Sequence, residues 1–163
     1  MKKILAVTAS ALLLVACSST KEGADLYGTA EGGWNEEADI TNLSATALTK
    51  KLKQTGNDVV YFSFNESSLD AQAKADLQKQ ADWLRAYPKA LIVIEGRCDE
   101  RGTREYNLAL GEQRASAARS YLIAQGISAD RIRTISYGKD KPIVFGSDEA
   151  AWAKNRSATT VAY

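Results

Sequence analysis

"ALIVIEGRCDERGTREYNLALGEQRASAARSYL" (Ala90–Leu122) is the stretch whose reading decides the fold. It opens on an apolar, β-branched run, Ala90–Gly96, preceded by Pro88. Such a run reads as a buried strand. Further on, Leu108, Gly111, Ala115, Ala118 and Leu122 recur at spacings of three and four, which predicts a helix from Arg104 to Gln125 with these residues facing the core. Gly126 stops it. Between strand and helix lies "RCDERGTREYN" (Arg97–Asn107), crowded with charge. It is a solvated turn, an acid/base cluster, or a cradle for a charged ligand.

The flanks repeat the alternation. "VVYFSF" (Val59–Phe64) is a strand pattern, and Ser67 or Ser68 is placed to cap a following helix over Leu69–Tyr87. Its stripe is Leu69, Ala73, Leu77, Ala81 and Leu84, and Pro88 ends it. "RIRTISYG" (Arg131–Gly138) alternates like a half-buried strand, "DEAAWAKN" (Asp148–Asn155) suits a short helix, and "SATTVAY" (Ser157–Tyr163) a terminal strand. The order β-α-β-α-β-(α)-β predicts an α/β two-layer sandwich, with helices packed on a small mixed sheet.

The chain of 163 residues has a formal net charge of +1 and no histidine. That balance gives no electrostatic reason to expect nucleic acid. Without histidine the commonest general base and metal ligand are missing, and the two cysteines, Cys17 and Cys98, are a poor start for zinc. No P-loop or GxGxxG pattern is present, so the sequence implies no metal and no cofactor.

The first residues read as an export signal. Lys2 and Lys3 precede an apolar run, Ile4–Ala16, too short for the ~20 residues of a bilayer span. "LVAC" (Leu14–Cys17) resembles the lipobox of bacterial lipoproteins, which implies cleavage after residue 16 and acylation of Cys17. A multiply acylated terminus anchors firmly, since each buried methylene contributes ~0.8 kcal/mol. Ser18 in the next position implies, by the same resemblance, sorting to the outer membrane. Loss of residues 1–16 takes the formal charge from +1 to −1. Residues 18–57 read as a flexible tether: every charged residue from Glu22 to Asp39 is acidic, and "LSATALTKKLKQ" (Leu43–Gln54) is compatible with a short helix but shows no clean apolar stripe. Tyr27 and Trp34 leave room for a partner contact there. The expected divisions are 1–16 signal peptide, 17–57 lipidated terminus and linker, and 58–163 folded domain.

In the charged stretch, Thr103 is a natural N-cap and Gly102 can adopt a backbone conformation closed to other residues. Asn107 and Arg114 share a helix face, and Asp99 stands just before the helix N-terminus, where unpaired N–H groups favour an anion. A carboxylate and a guanidinium on one pocket can read a zwitterion, with Asp99 on its ammonium and Arg114 on its carboxylate. The bland alternative is a surface loop with local ion pairs. Catalysis would need paired carboxylates, for which Glu95, Asp99 and Glu100 are the candidates, but no nucleophile with its base stands near them.

"YFSFNESSL", then "IEGRCDERGTREYNLALGEQRASAARSYL", "ISYGKDKP" and "KNRS" together resemble the OmpA-like peptidoglycan-binding domain, and more closely the peptidoglycan-associated lipoproteins of the Tol–Pal system. The resemblance runs from about Val59 to Tyr163. It implies a non-enzymatic domain that binds the diaminopimelate of the peptide stem in peptidoglycan. It further implies a tether from outer membrane to cell wall, facing the periplasm, that supports envelope integrity and cell division. Carried over by position, the ligand residues are Asp99, Arg114, Asn107, Asn65 and Arg156, with Arg101 and Gly102 in the ligand loop. TolB and other Tol proteins are the implied protein partners. Two positions depart from the pattern. Arg97-Cys98 stands where histidine and a small residue are common, and Ser157 where a second arginine often follows Arg156. Cys98 then reads as a half-buried thiol.

Overall fold

The computed structural model describes residues 43–163. The expected signal peptide, the acylated Cys17 and the tether up to residue 42 lie outside these residues.

Four strands form one mixed sheet in the order β1-β4-β2-β3. Strand β1 (Val59–Tyr61) pairs antiparallel with β4 (Ser157–Ala162), β4 antiparallel with β2 (Ile92–Arg97), and β2 parallel with β3 (Ile132–Gly138). The last strand is therefore inserted between β1 and β2, so the C-terminal segment completes the sheet. Helices α2 (Ala71–Ala86) and α3 (Arg104–Ala124) provide the second layer. Leu77, Ala81 and Leu84 of α2 and Ala115, Ala118 and Leu122 of α3 bury against Val60, Ile92, Ile94, Ile132, Ala158 and Ala162 of the sheet. Short helix α4 (Glu149–Asn155) leads into β4, with Asp148 accepting from the Ala151 N–H as its cap. The α/β two-layer reading holds.

Several details differ from expectation. The segment expected to be a spacer contains helix α1 (Ala45–Gln54), capped by Ser44. Leu48 and Leu52 join the core, and the Thr49 hydroxyl bonds the Ala162 backbone at the end of β4. A four-residue apolar spacing on an otherwise polar helix is enough when β4 supplies the partner surface. The cap of α2 is Asp70 rather than Ser67 or Ser68, its carboxylate accepting from Ala73 N–H at 2.7 Å, so Leu69 precedes the helix. On α3 the deeply buried leucine near the N-terminal end is Leu110, and Leu108 is only half-buried. Gly126 ends α3 in a Schellman arrangement at φ +88°, with Ile127 N–H bonding Leu122 and Gly126 N–H bonding Ile123. Cys98 is fully rather than half buried, and Ser157 has no exposed surface at all.

One close approach sets the depth at which α3 lies on the sheet. A Cβ on Gly96 would sit 1.8 Å from the Gly111 carbonyl oxygen, and one on Gly111 would sit 2.3 Å from Ser136 Oγ. Helix and sheet backbones touch here because neither residue has a side chain. The Ser136 hydroxyl donates to Leu108 carbonyl at 2.7 Å and locks the contact.

Candidate binding pocket

The pocket forms where β2 hands over to α3. The β2–β3 register breaks between Gly96 and Arg97, Cys98 N–H still bonds the Gly138 carbonyl at 2.8 Å, and Asp99 follows beyond the end of the strand. Gly102, at φ +89°, turns the chain into the helix, and Thr103 Oγ1 accepts from Tyr106 N–H. Asn107 closes the turn from inside, its amide nitrogen donating to the Arg101 carbonyl at 2.8 Å and the Thr103 carbonyl at 3.0 Å. Asn107, expected to contact a ligand, therefore staples the loop from Arg101 to Thr103.

Asp99 is 4% exposed, and guanidinium groups crowd it. Arg101 forms a fork on it, Nη2 to Oδ2 at 2.6 Å and Nε to Oδ1 at 3.2 Å, and the Arg101 backbone N–H adds a third bond at 3.1 Å. Arg156 Nη1 approaches Oδ2 at 3.5 Å. Burial by itself raises the Asp99 pKa. The bonds from Arg101, helped by the nearby Arg156 guanidinium, outweigh it and hold the carboxyl below its usual range.

Arg114 lies at the floor, 1% exposed, over the Phe62 ring. Its Nε donates to Glu66 carbonyl at 2.8 Å, Nη1 to Arg97 carbonyl at 2.9 Å and Nη2 to Ser63 carbonyl at 3.1 Å. Burial lowers its pKa, and the neighbouring Asp99 and Cys98 oppose that shift. A guanidinium carries five N–H donors, so two remain for a ligand once three bind carbonyls. Through these carbonyls Arg114 also joins the β1–α2 loop to the end of β2.

Asn65, Asp99, Arg101, Gly102, Asn107 and Arg114 line one pocket of about 100 Å³. Arg156 does not line it. It supports Asp99 from behind while bonding Phe62 carbonyl and Glu149. Sequence reasoning missed Phe64, Tyr106 and Leu110 in the wall. Tyr106 donates its hydroxyl to Asn65, the one non-glycine residue at positive φ among the described residues. Arg97 does not enter the pocket wall. It bonds Glu95, Thr159 and the Lys141 carbonyl. Cys98 also touches the pocket, but its thiol donates to Asn107 carbonyl, and burial pushes its pKa up. A protonated buried thiol is a poor nucleophile. The pocket therefore places a carboxylate, Asp99, and a guanidinium, Arg114, on one lining.

A family model described as the OmpA family matches residues 61–156. A peptidoglycan-associated lipoprotein of Agrobacterium fabrum is 42% identical over 151 residues, covering 93% of this chain and 82% of that protein. One from Rhizobium meliloti is 52% identical over 104 residues, and that match spans 64% of this chain and 59% of the relative's length. Among solved structures, the peptidoglycan-associated lipoprotein from Burkholderia pseudomallei superposes with a TM-score of 0.63 at 45% identity, over 65% of this chain and 90% of that one. The C-terminal domain of Helicobacter pylori MotB, at 19% identity and TM-score 0.58, shares the fold alone. The chain belongs to the OmpA family and, within it, to the peptidoglycan-associated lipoproteins.

Proposed function

We propose that this protein binds peptidoglycan noncovalently through the pocket at the α3 N-terminus and so fastens the outer membrane to the cell wall. The observation that carries the reading is the opposition of a buried, ionised Asp99 to the buried Arg114 guanidinium across one small pocket. A zwitterion such as the free end of a diaminopimelate side chain matches that pair, its ammonium on Asp99 and its carboxylate on Arg114. The names of the relatives support the same class of ligand. Acylation at Cys17 would supply the membrane end, and the segment after it the span. Within this reading the Tol proteins, TolB among them, are partners of the exposed surface, the protein acts in envelope integrity and cell division, and no catalysis is assigned.

Co-sedimentation with purified peptidoglycan tests the site. The wild-type chain is expected to pellet and Asp99→Asn to stay in solution. Equal pelleting by both would remove Asp99 from the site. Release of soluble muropeptides would instead favour a hydrolase, and failure of the wild type to pellet would favour a purely protein-binding scaffold.

A further inference from the structure

The carboxylate offered to the ligand is already occupied. The Arg101 fork engages both oxygens of Asp99. Its guanidinium carbon lies over two aromatic rings, 4.1 Å from the Phe64 ring centre and 4.2 Å from the Trp152 ring centre. Trp152 is held in turn by an indole bond to Glu100 at 3.1 Å. A planar cation held in an aromatic slot and forked onto a carboxylate is what a cationic ligand would itself look like in this place.

A second observation concerns the other side of the same carboxylate. Arg156 Nη1 is buried without a hydrogen-bond partner, although Asp99 Oδ2 lies only 3.5 Å away. A buried donor left unbonded is unfavourable, and it is rare in folded proteins. Oδ2 is drawn to Arg101 at 2.6 Å instead. The carboxylate thus has two neighbouring guanidiniums and closes fully on only one.

We propose that Arg101 is a built-in competitor for the ligand's ammonium, and that binding exchanges it off Asp99 while the released carboxylate closes on Arg156. This rests on the pocket being the ligand site. It makes Arg101 a residue that tunes affinity and selectivity: a weakly cationic or neutral group cannot displace the fork, whereas an ammonium already positioned by Arg114 can. The aromatic slot keeps the displaced guanidinium near the pocket, so the exchange is rapid and reversible. Arg156 keeps Asp99 ionised throughout.

The test is calorimetric titration of the full chain with a soluble diaminopimelate-containing muropeptide. Arg101→Ala is expected to bind at least about threefold tighter than wild type, because the Asp99–Arg101 ion pair no longer has to be broken. Arg101→Lys keeps the charge but can neither fork nor stack, and should fall between the two. In the wild type, the Arg101 Nε–H resonance should shift on titration, since that group leaves Oδ1. Binding by the wild type with unchanged or weaker binding by both variants would overturn the competitor role alone. Absence of binding by wild type and both variants would overturn the ligand assignment together with it.

Discussion

Gly96→Ala offers a severe test of how α3 sits on the sheet. The new Cβ would lie 1.8 Å from the Gly111 carbonyl oxygen and 2.6 Å from its carbon, both backbone atoms with no rotamer to escape into. To reach even 3.0 Å the helix must retreat by at least about 1.2 Å. Radial gaps of only about 0.5–1 Å already forfeit roughly a quarter to a half of each dispersion contact they open, and this one is larger. The affected contacts are those of Leu110, Ala115, Ala118 and Leu122. The retreat also stretches the Ser136–Leu108 bond and the thiol contact of Cys98 with Asn107. Overpacking against immovable backbone belongs at the upper end of the usual range, about 3 kcal/mol or more. For a folded unit of this size that lowers Tm by roughly 12 °C. Urea unfolding followed by circular dichroism should show the midpoint falling with an unchanged slope. A loss below about 0.5 kcal/mol would refute the close contact, since helix and sheet would then have spare room.

Leu52→Ala should destabilise the folded unit by about 2–4 kcal/mol, because Leu52 is 1% exposed within the core. A silent substitution in thermal unfolding would return α1 to the role of a spacer. Arg114→Ala strands the carbonyls of Ser63, Glu66 and Arg97, at roughly 1–3 kcal/mol each, and should lower the urea midpoint as well as binding. Asp99→Asn should weaken muropeptide affinity at least about tenfold while leaving the fold cooperative, as titration calorimetry beside unfolding would show. The Asp99 carboxyl is held below its usual range in the folded state. Its stabilising contribution is therefore present above the unfolded pKa of ~3.9 and lost as pH falls through the folded value. Wild type should lose stability relative to Asp99→Asn as pH is lowered below about 4. A constant gap between them from pH 7 to 2 would contradict this.

The architecture was readable from the sequence because α2, α3 and the strands carry strong periodicity, and because Thr103, Gly126 and Pro88 mark ends whose geometry they dictate. Helix α1 was not. Leu48 and Leu52 make too narrow a stripe by themselves, and what fixes the helix is β4, more than a hundred residues away. The α2 cap was misplaced because "NESSLD" offers Ser67, Ser68 and Asp70 as chemically equivalent acceptors, and local sequence does not rank them. In the pocket, Asp99, Asn107 and Arg114 could be named because one strand–helix junction supplies them all. Phe64 and Trp152, which flank Arg101, come from the β1–α2 loop and α4, and no spacing rule links them to residue 101.

Arg114 joins the fold to the ligand reading. A surface arginine would have to be desolvated and ordered before it could fork onto a ligand carboxylate, and both steps oppose binding. Here folding has already done both, since three backbone carbonyls replace its water and fix its plane. A buried guanidinium held by carbonyls alone would still lack a counter-ion, and Asp99 lies close enough to oppose the fall in its pKa. Loss of Asp99 would therefore remove both the ligand's ammonium contact and part of what tolerates Arg114 in the core. The two substitutions should be non-additive in stability: a double-mutant cycle of Asp99→Asn with Arg114→Ala should give a coupling of at least about 0.5 kcal/mol. Strict additivity would mean that the two charges do not sense each other across the pocket, and a ligand that bridges them would then have no basis.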